Sequence, residues 1–258
     1  MNNIVVFHWN TGFREYLPEH VNLLAHAIKY FYPVPHKFYC ISDETEGFSD
    51  LVTVIPMPDE AKRMGKLKAP QGKGFPSSYR RMWLFSDEAK MLGERIMLLD
   101  IDCMVLGDLS PLFDYKSDAD FVGWRPKSIW GREDRLGGGT WILRTGKLNW
   151  LWERFKANPE EMIQDTRSQG WNGSDQAIIS RFLRSEYPIL PQNCGVYSQQ
   201  DGVFSWSFPP EDARIVHFNG KEKYWGQRTL WMAAYCKHFS KPPSNTITSE
   251  LLSQVAGS

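Results

Sequence analysis

Arg95-Ile-Met-Leu-Leu-Asp-Ile-Asp-Cys-Met-Val-Leu106 decides how this chain is read. The run is apolar apart from Arg95 and two carboxylates, Asp100 and Asp102, one residue apart. In a strand that spacing puts both side chains on one face. Burying one unpaired carboxylate is costly, and burying two side by side is worse. A divalent cation lying between them removes that cost. The run therefore predicts a buried strand ending in a metal site, and a cation there would serve to hold a polyphosphate. Isolated D-x-D triplets are more often surface turns. The flanks Met97-Leu98-Leu99 and Met104-Val105-Leu106 argue against a surface turn here.

The composition is that of an ordinary globular chain. Its 258 residues are 42% hydrophobic and 23% charged, enough for one large domain with a sizeable core. Lys plus Arg equals Asp plus Glu, at 30 each. Zero net charge argues against non-specific nucleic-acid binding, so no nucleic-acid partner is expected. The start, Met1 to Phe7, lacks the features of a signal peptide, and no apolar run is long enough for an integral membrane segment. Cys40, Cys103, Cys194 and Cys236 are dispersed and read as reduced thiols of a cytoplasmic protein. Eleven tryptophans allow sugar stacking, although core and rim packing accounts for them as well.

Strand and helix signals alternate from the start. Ile4–Phe7, His36–Ile41 and Leu51–Ile55 read as strands, with a helix over Val21–Phe31 stopped by Pro33. That alternation predicts a mostly parallel α/β sheet. The basic, Gly- and Pro-rich stretch 62–78 reads as a solvated loop or a lid. Ser77–Leu92 reads as a helix carrying Arg80 and Arg81, and Asp118–Trp124 as a strand. Gly137-Gly-Gly-Thr-Trp-Ile-Leu143 reads as a glycine turn entering a strand. Leu148–Phe155 and Ser174–Leu183 read as helices, the second with Ser174 as N-cap. A late strand over Arg214–Phe218 and a final helix over Tyr224–Phe239 precede a loosely ordered tail. The final helix suits packing in the core or contact with a membrane surface.

A second constellation follows the late strand: His217-Phe-Asn-Gly-Lys-Glu-Lys-Tyr-Trp225. An imidazole suits Mn2+ as a third protein ligand beside two carboxylates. Gly220 allows close backbone approach, and Lys223 offers a point charge to phosphate. Alone, His217 would more often be a hydrogen-bonded histidine at a strand end.

Together the two motifs resemble glycosyltransferase family 8, a family of GT-A fold enzymes that includes glycogenin-like and bacterial galactosyltransferase-like members. Leu99-Asp-Ile-Asp-Cys-Met-Val105 is similar to its D-x-D strand. His217-x-x-Gly220-x-x-Lys223-x-Trp225 is similar to its C-terminal signature. The resemblance implies a GT-A fold, with one catalytic domain over 1–239 and a tail over 240–258. It implies transfer, with retention, from a nucleotide-diphosphate sugar, usually a UDP-sugar, to a glycan, lipid-linked or small-molecule acceptor. Asp100, Asp102 and His217 would bind Mn2+ or Mg2+. The backbone at Ile101, with Gly220 and Lys223, would line the diphosphate, and Arg80 or Arg81 would reach the phosphates or the donor sugar. Val6 to Trp9, His8 included, would line the nucleotide pocket, with Asp43 at its nucleoside end. Asp175 and Gln176 would lie beside the reacting sugar, and with Arg80 they form the catalytic set. The chain departs from the family at Gly137-Gly138-Gly139, where Asn-Ser-Gly is frequent, and this leaves donor identity open.

The residues by themselves leave other readings open. Arg80 and Arg81 could be a solvated helix face, Asp175 a helix-dipole partner, and Asp43 a turn residue. For an inverting reaction Asp175, Glu133 or Asp134 could act as general base. A sugar-phosphate nucleotidyltransferase would carry a glycine-rich basic stretch near the first strand, where this chain has Asn10-Thr-Gly-Phe-Arg14. A non-catalytic nucleotide- or carbohydrate-binding protein would have little use for an Asp–Asp–His set. Trp130, Trp171 and Trp206 suit either the acceptor side or packing.

Overall fold

The computed structural model describes residues 1–9, 16–67, 76–127, 135–171, 174–218 and 222–241. Its centre is a six-stranded sheet in the order β3-β2-β1-β4-β7-β6. β1 (Asn2–His8) pairs in parallel with β2 (Phe38–Ser42) on one side and β4 (Arg95–Leu99) on the other. β3 (Val52–Pro56) continues the parallel array. β7 (Thr140–Arg144) runs antiparallel to both β4 and β6 (Phe121–Gly123). The sheet is thus mostly parallel, as the strand–helix alternation predicts.

Burial on both faces explains the composition of the inner strands. Ile4 to Phe7 and Ile96 to Leu99 are each at most 5% exposed, so a continuous apolar run, not alternation, marks them. Val6 and Met97 point to a core shared with Leu24 and Ile28 of α1 (Pro18–Phe31). Their neighbours Val5 and Leu98 point to the opposite core, with Trp83, Phe85 and Trp141. Pro18 opens α1 at a first-turn position, where its missing N–H costs nothing.

A second, three-stranded sheet packs against the first core. β5 (Cys103–Val105) pairs antiparallel with β9 (Ile215–His217), which pairs in parallel with β8 (Val196–Ser198). The apolar run from Arg95 to Leu106 is therefore two strands in two sheets. Asp100 to Asp102 form the turn between them, closed by Cys103 N–H donating to the Asp100 carbonyl at 3.3 Å. This corrects the expectation of a single strand bearing both carboxylates on one face. The flanks are buried as expected, but the chain changes sheets between them, and here a turn makes that change.

Ser77–Leu92 is two 3₁₀ helices, Pro76–Phe85 and Asp87–Leu92, where one helix is expected. Ser86 separates them, its Oγ capping the second by accepting from Ala89 N–H. The helix α2 (Asp59–Met64) occupies part of the stretch read as a loop, and 68–75 lie outside the described residues. α4 (Asn149–Ala157) and α6 (Asp175–Phe182) form where expected. Ser174 stands at the N-cap position of α6, but its side chain makes no capping bond. α5 (Pro159–Ser168) is additional. Its start signal, Asn158-Pro159-Glu160-Glu161, is present in the sequence, and Asn158 caps Glu161 N–H. The final helix begins later than expected. A 3₁₀ turn, Tyr224–Gly226, precedes α7 (Leu230–Phe239), whose buried Trp231, Met232, Tyr235 and Phe239 pack into the first core. α3 (Ser110–Asp114) is a short connector. Among the described residues, no helix is long and apolar enough to cross a membrane. The tail from 242 lies outside the described residues.

Candidate functional site

The topology gathers the chemistry-bearing residues at one edge of the sheet. Trp9 follows β1, Asp43 follows β2 and Asp100 follows β4, all at carboxyl ends. Thr140 opens the antiparallel β7 opposite Leu99, and Asp100 N–H donates to the Gly139 carbonyl at 3.0 Å. His217 ends β9 and pairs with Cys103, one residue beyond Asp102. The chain winds outward from β1 through β2 to β3 and then crosses back to place β4 on the other side of β1, and a crevice at such a switch is where open α/β sheets bind ligands.

Asp100, Asp102 and Asp175 are each held by a cation. Arg81 is buried and donates through Nε to Asp175 Oδ2 at 2.6 Å, and through Nη1 to Asp100 and to the Gly138 carbonyl. Lys223 is buried and donates to Asp102 Oδ2 and, at 3.0 Å, to the Phe218 carbonyl. Tyr16 Oη–H donates to the same Asp102 oxygen at 3.0 Å. Asp175 is wholly buried at the start of α6, with its second oxygen accepting from Gln176 N–H at 2.9 Å. Arg80 points elsewhere: it pairs with Asp43 at 3.1 Å and lies 4.8 Å over the Trp9 ring. Of the two arginines it is Arg81 that joins Asp100 to Asp175.

His217 is fixed on three sides. Its Nε2 bonds Thr140 Oγ1 at 2.8 Å, the Trp124 ring lies 4.5 Å away and tilted 33°, and Gly139 abuts its Nδ1 and Cε1. Burial pushes its pKa down to about 4, against a smaller opposing pull from Asp102, so the ring is neutral near pH 7. Burial, reinforced by Asp102 and Asp175 and opposed by Arg81, pushes the Asp100 carboxyl up to about 6.

The remaining predicted residues divide. His8 is buried with both ring nitrogens engaged, Nδ1 with Ser42 Oγ at 2.9 Å and Nε2 with the Tyr16 carbonyl at 2.7 Å. A carbonyl only accepts, so Nε2 carries the hydrogen. Val6 is core. Both are buried in β1, His8 at its carboxyl end. Ile101 is buried in the turn, and Gln176 stands beside Gly138. Trp171 is buried, and the Trp206 carbonyl accepts from Trp231 Nε1, so both pack within the fold. Gly220, Trp130, Glu133, Asp134 and Asn10–Arg14 lie outside the described residues. Sequence reasoning missed Tyr16, Thr140 and Trp124, because nothing in their local pattern marks them and each arrives from a distant segment.

The donor set suits a divalent cation in kind: two carboxylates and a neutral imidazole whose buried Nδ1 has no hydrogen-bond partner. Among the described residues no three His, Cys, Asp or Glu side chains stand together as a formed metal cluster. Arg81 and Lys223 neutralise the two carboxylates instead.

No protein-family model matches the chain, and no curated protein matches it by sequence. Its fold, however, is found among solved structures. A crystal structure of the galactosyltransferase LgtC in complex with donor and acceptor sugar analogues superposes with a TM-score of 0.65 at 14% identity, over 98% of this chain and 99% of that one. An active-site Gln-to-Glu mutant of LgtC gives the same TM-score and identity, over 96% and 98%. The apo form of the glycosyltransferase GlyE from Streptococcus pneumoniae TIGR4 superposes with a TM-score of 0.56 at 16% identity, over 98% of this chain and 63% of that one. The chain thus has the GT-A type α/β fold that its motifs imply.

Proposed function

We propose that this protein is a glycosyltransferase resembling family 8, contained in a single catalytic domain over 1–239. It moves a sugar from a nucleotide-diphosphate donor, a UDP-sugar, to a glycan, lipid-linked or small-molecule acceptor, with retention. One observation carries the reading: Asp100, Asp102, His217, Lys223, Asp175 and Arg81 come from four separated segments to one carboxyl edge of a glycosyltransferase fold. The free cysteines fit a cytoplasmic setting, at a membrane periphery if the acceptor is lipid-linked.

Asp100, Asp102 and His217 would hold Mn2+ or Mg2+. Such a cation supplies Lewis-acid stabilisation of charge on the departing diphosphate. Lys223 would add fixed positive charge at the diphosphate, beside the Ile101 backbone. Trp9, Arg80 and Asp43 bind the nucleoside end. Arg81 holds Asp100 and Asp175 in one frame. Asp175 is fully buried with both oxygens engaged, so it acts by fixing Arg81 and the start of α6. Gln176, partly exposed beside Gly138, is the side chain of that pair that meets the sugar. LgtC also has an active-site glutamine.

Calorimetry with UDP, with and without Mn2+, tests the reading on wild type and Asp102→Ala. Metal-dependent binding lost in the variant is expected, followed by hydrolysis of one UDP-sugar in a donor screen. Folded wild type that ignores UDP in the presence of Mn2+ would refute the donor assignment.

A further inference from the structure

We propose that Tyr16 is a positioning residue of the cation site, holding the Asp102 carboxylate by Oδ2 so that Oδ1 is presented to the cation. The inference rests on the donor-site reading above. Tyr16 Oη–H and Lys223 both donate to Asp102 Oδ2, while Oδ1 receives no hydrogen bond among the described residues. Among the described residues the carboxylate is therefore anchored through Oδ2 alone.

Tyr16 is itself pinned at backbone and ring. Its carbonyl accepts from His8 Nε2, and His8 is tied through Nδ1 to Ser42 Oγ at the end of β2. The Phe48 ring stands edge-on to His8 at 5.5 Å. On the other side the Tyr16 ring meets Trp225 edge-on at 5.9 Å, and Trp225 stacks on His20 at 4.0 Å with an 11° tilt. A continuous support runs from the central sheet through Ser42, His8 and Tyr16 to Asp102. It gives the buried histidine at the end of β1 a purpose. Trp225 acquires one too, since it braces the tyrosine that orients Asp102.

Hydrogen bonds to a metal-ligating carboxylate set its orientation, and their loss costs about 10–100-fold in metal affinity. The test uses Tyr16→Phe in the full chain, because that change removes the hydroxyl and keeps the ring. Mn2+ affinity in the presence of UDP, followed by electron paramagnetic resonance, is expected to fall about tenfold or more while the melting temperature stays near wild type. In the metal-free protein labelled with 13C-aspartate, the Asp102 carboxyl carbon, assigned with Asp102→Asn, is expected to shift in Tyr16→Phe. Unchanged Mn2+ affinity in Tyr16→Phe overturns the proposal, and so does an unmoved carbon resonance. Wild type that takes up no Mn2+ overturns the donor-site reading instead, and the carbon resonance still decides whether Tyr16 holds Asp102.

Discussion

Gly139→Ala places one methyl group where the site has no room. A Cβ built on Gly139 lies 2.6 Å from His217 Nδ1, 2.7 Å from Cε1 and 3.2 Å from Cγ. Carbon does not approach a ring that closely, so ring or loop must move. The ring cannot move cheaply, because Thr140 holds Nε2 at 2.8 Å, Trp124 covers it at 4.5 Å, and the His217 backbone is paired with Cys103. The loop is no freer, since the Gly139 carbonyl receives Asp100 N–H. Overpacking of this kind costs about 1–3 kcal/mol. For a chain of this size that corresponds to a fall in melting temperature of about 2–12 °C. Gly138→Ala is the internal control. Its Cβ would meet Arg81 Nη2 at 3.1 Å and Gln176 Cβ at 3.5 Å, a tight but tolerable fit, with a cost of about 1 kcal/mol or less. Thermal melts by circular dichroism rank the two, and Mn2+ titration reads the displacement of His217 separately. If Gly138→Ala is as damaging as Gly139→Ala, or Gly139→Ala is neutral, the argument that the His217 ring requires glycine there is wrong.

Among the described residues, Lys223→Met leaves the buried Asp102 carboxylate with Tyr16 alone and is expected to cost about 3–5 kcal/mol in urea unfolding. Adding Asp102→Asn should restore much of that stability, and a silent Lys223→Met would show that the pair does not form. Arg81→Lys keeps the charge but lacks the fork that joins Asp175, Asp100 and the Gly138 carbonyl. Donor turnover is expected to fall at least about tenfold, and unchanged turnover would show that the fork is not needed. Stability should also respond to pH through His217. Its folded pKa lies near 4, below the ordinary 6.5, so the unfolded chain binds the extra proton between those values. Its contribution is fully present above pH 6.5 and is lost as pH falls to about 4. Asp100, raised from 3.8 to about 6, acts in the opposite sense, its contribution being lost as pH rises through 6. His217→Gln should therefore remove the rise in melting temperature with pH between 4 and 6.5 and leave the opposing slope. A slope unchanged by His217→Gln would show that the ring titrates normally in the folded chain.

The sequence by itself determined the mostly parallel sheet. Strands buried on both faces must be continuous apolar runs, and Ile4–Phe7 and Ile96–Leu99 are legible for that reason. It also marked Asp100 and Asp102, because two carboxylates inside an apolar run have few structural uses, and His217 and Lys223 as a second motif beside them, while Asp175 was marked chiefly by the family resemblance. Only the tertiary structure decided how these groups are partnered. The break between β4 and β5 was invisible, since both halves are equally apolar and the change of sheet is made by pairing with β9, more than a hundred residues later. Arg80 and Arg81 are adjacent in sequence and equivalent in type. Which one reaches Asp100 and Asp175 depends on the rotation of a 3₁₀ segment, and 3₁₀ and α geometry turn successive side chains by different angles. Tyr16, Thr140 and Trp124 carry no local signal at all. Their roles are contacts across 86, 77 and 93 residues of chain, to Asp102 and to His217. Local pattern records what each segment must bury, and the folded chain settles which segments meet.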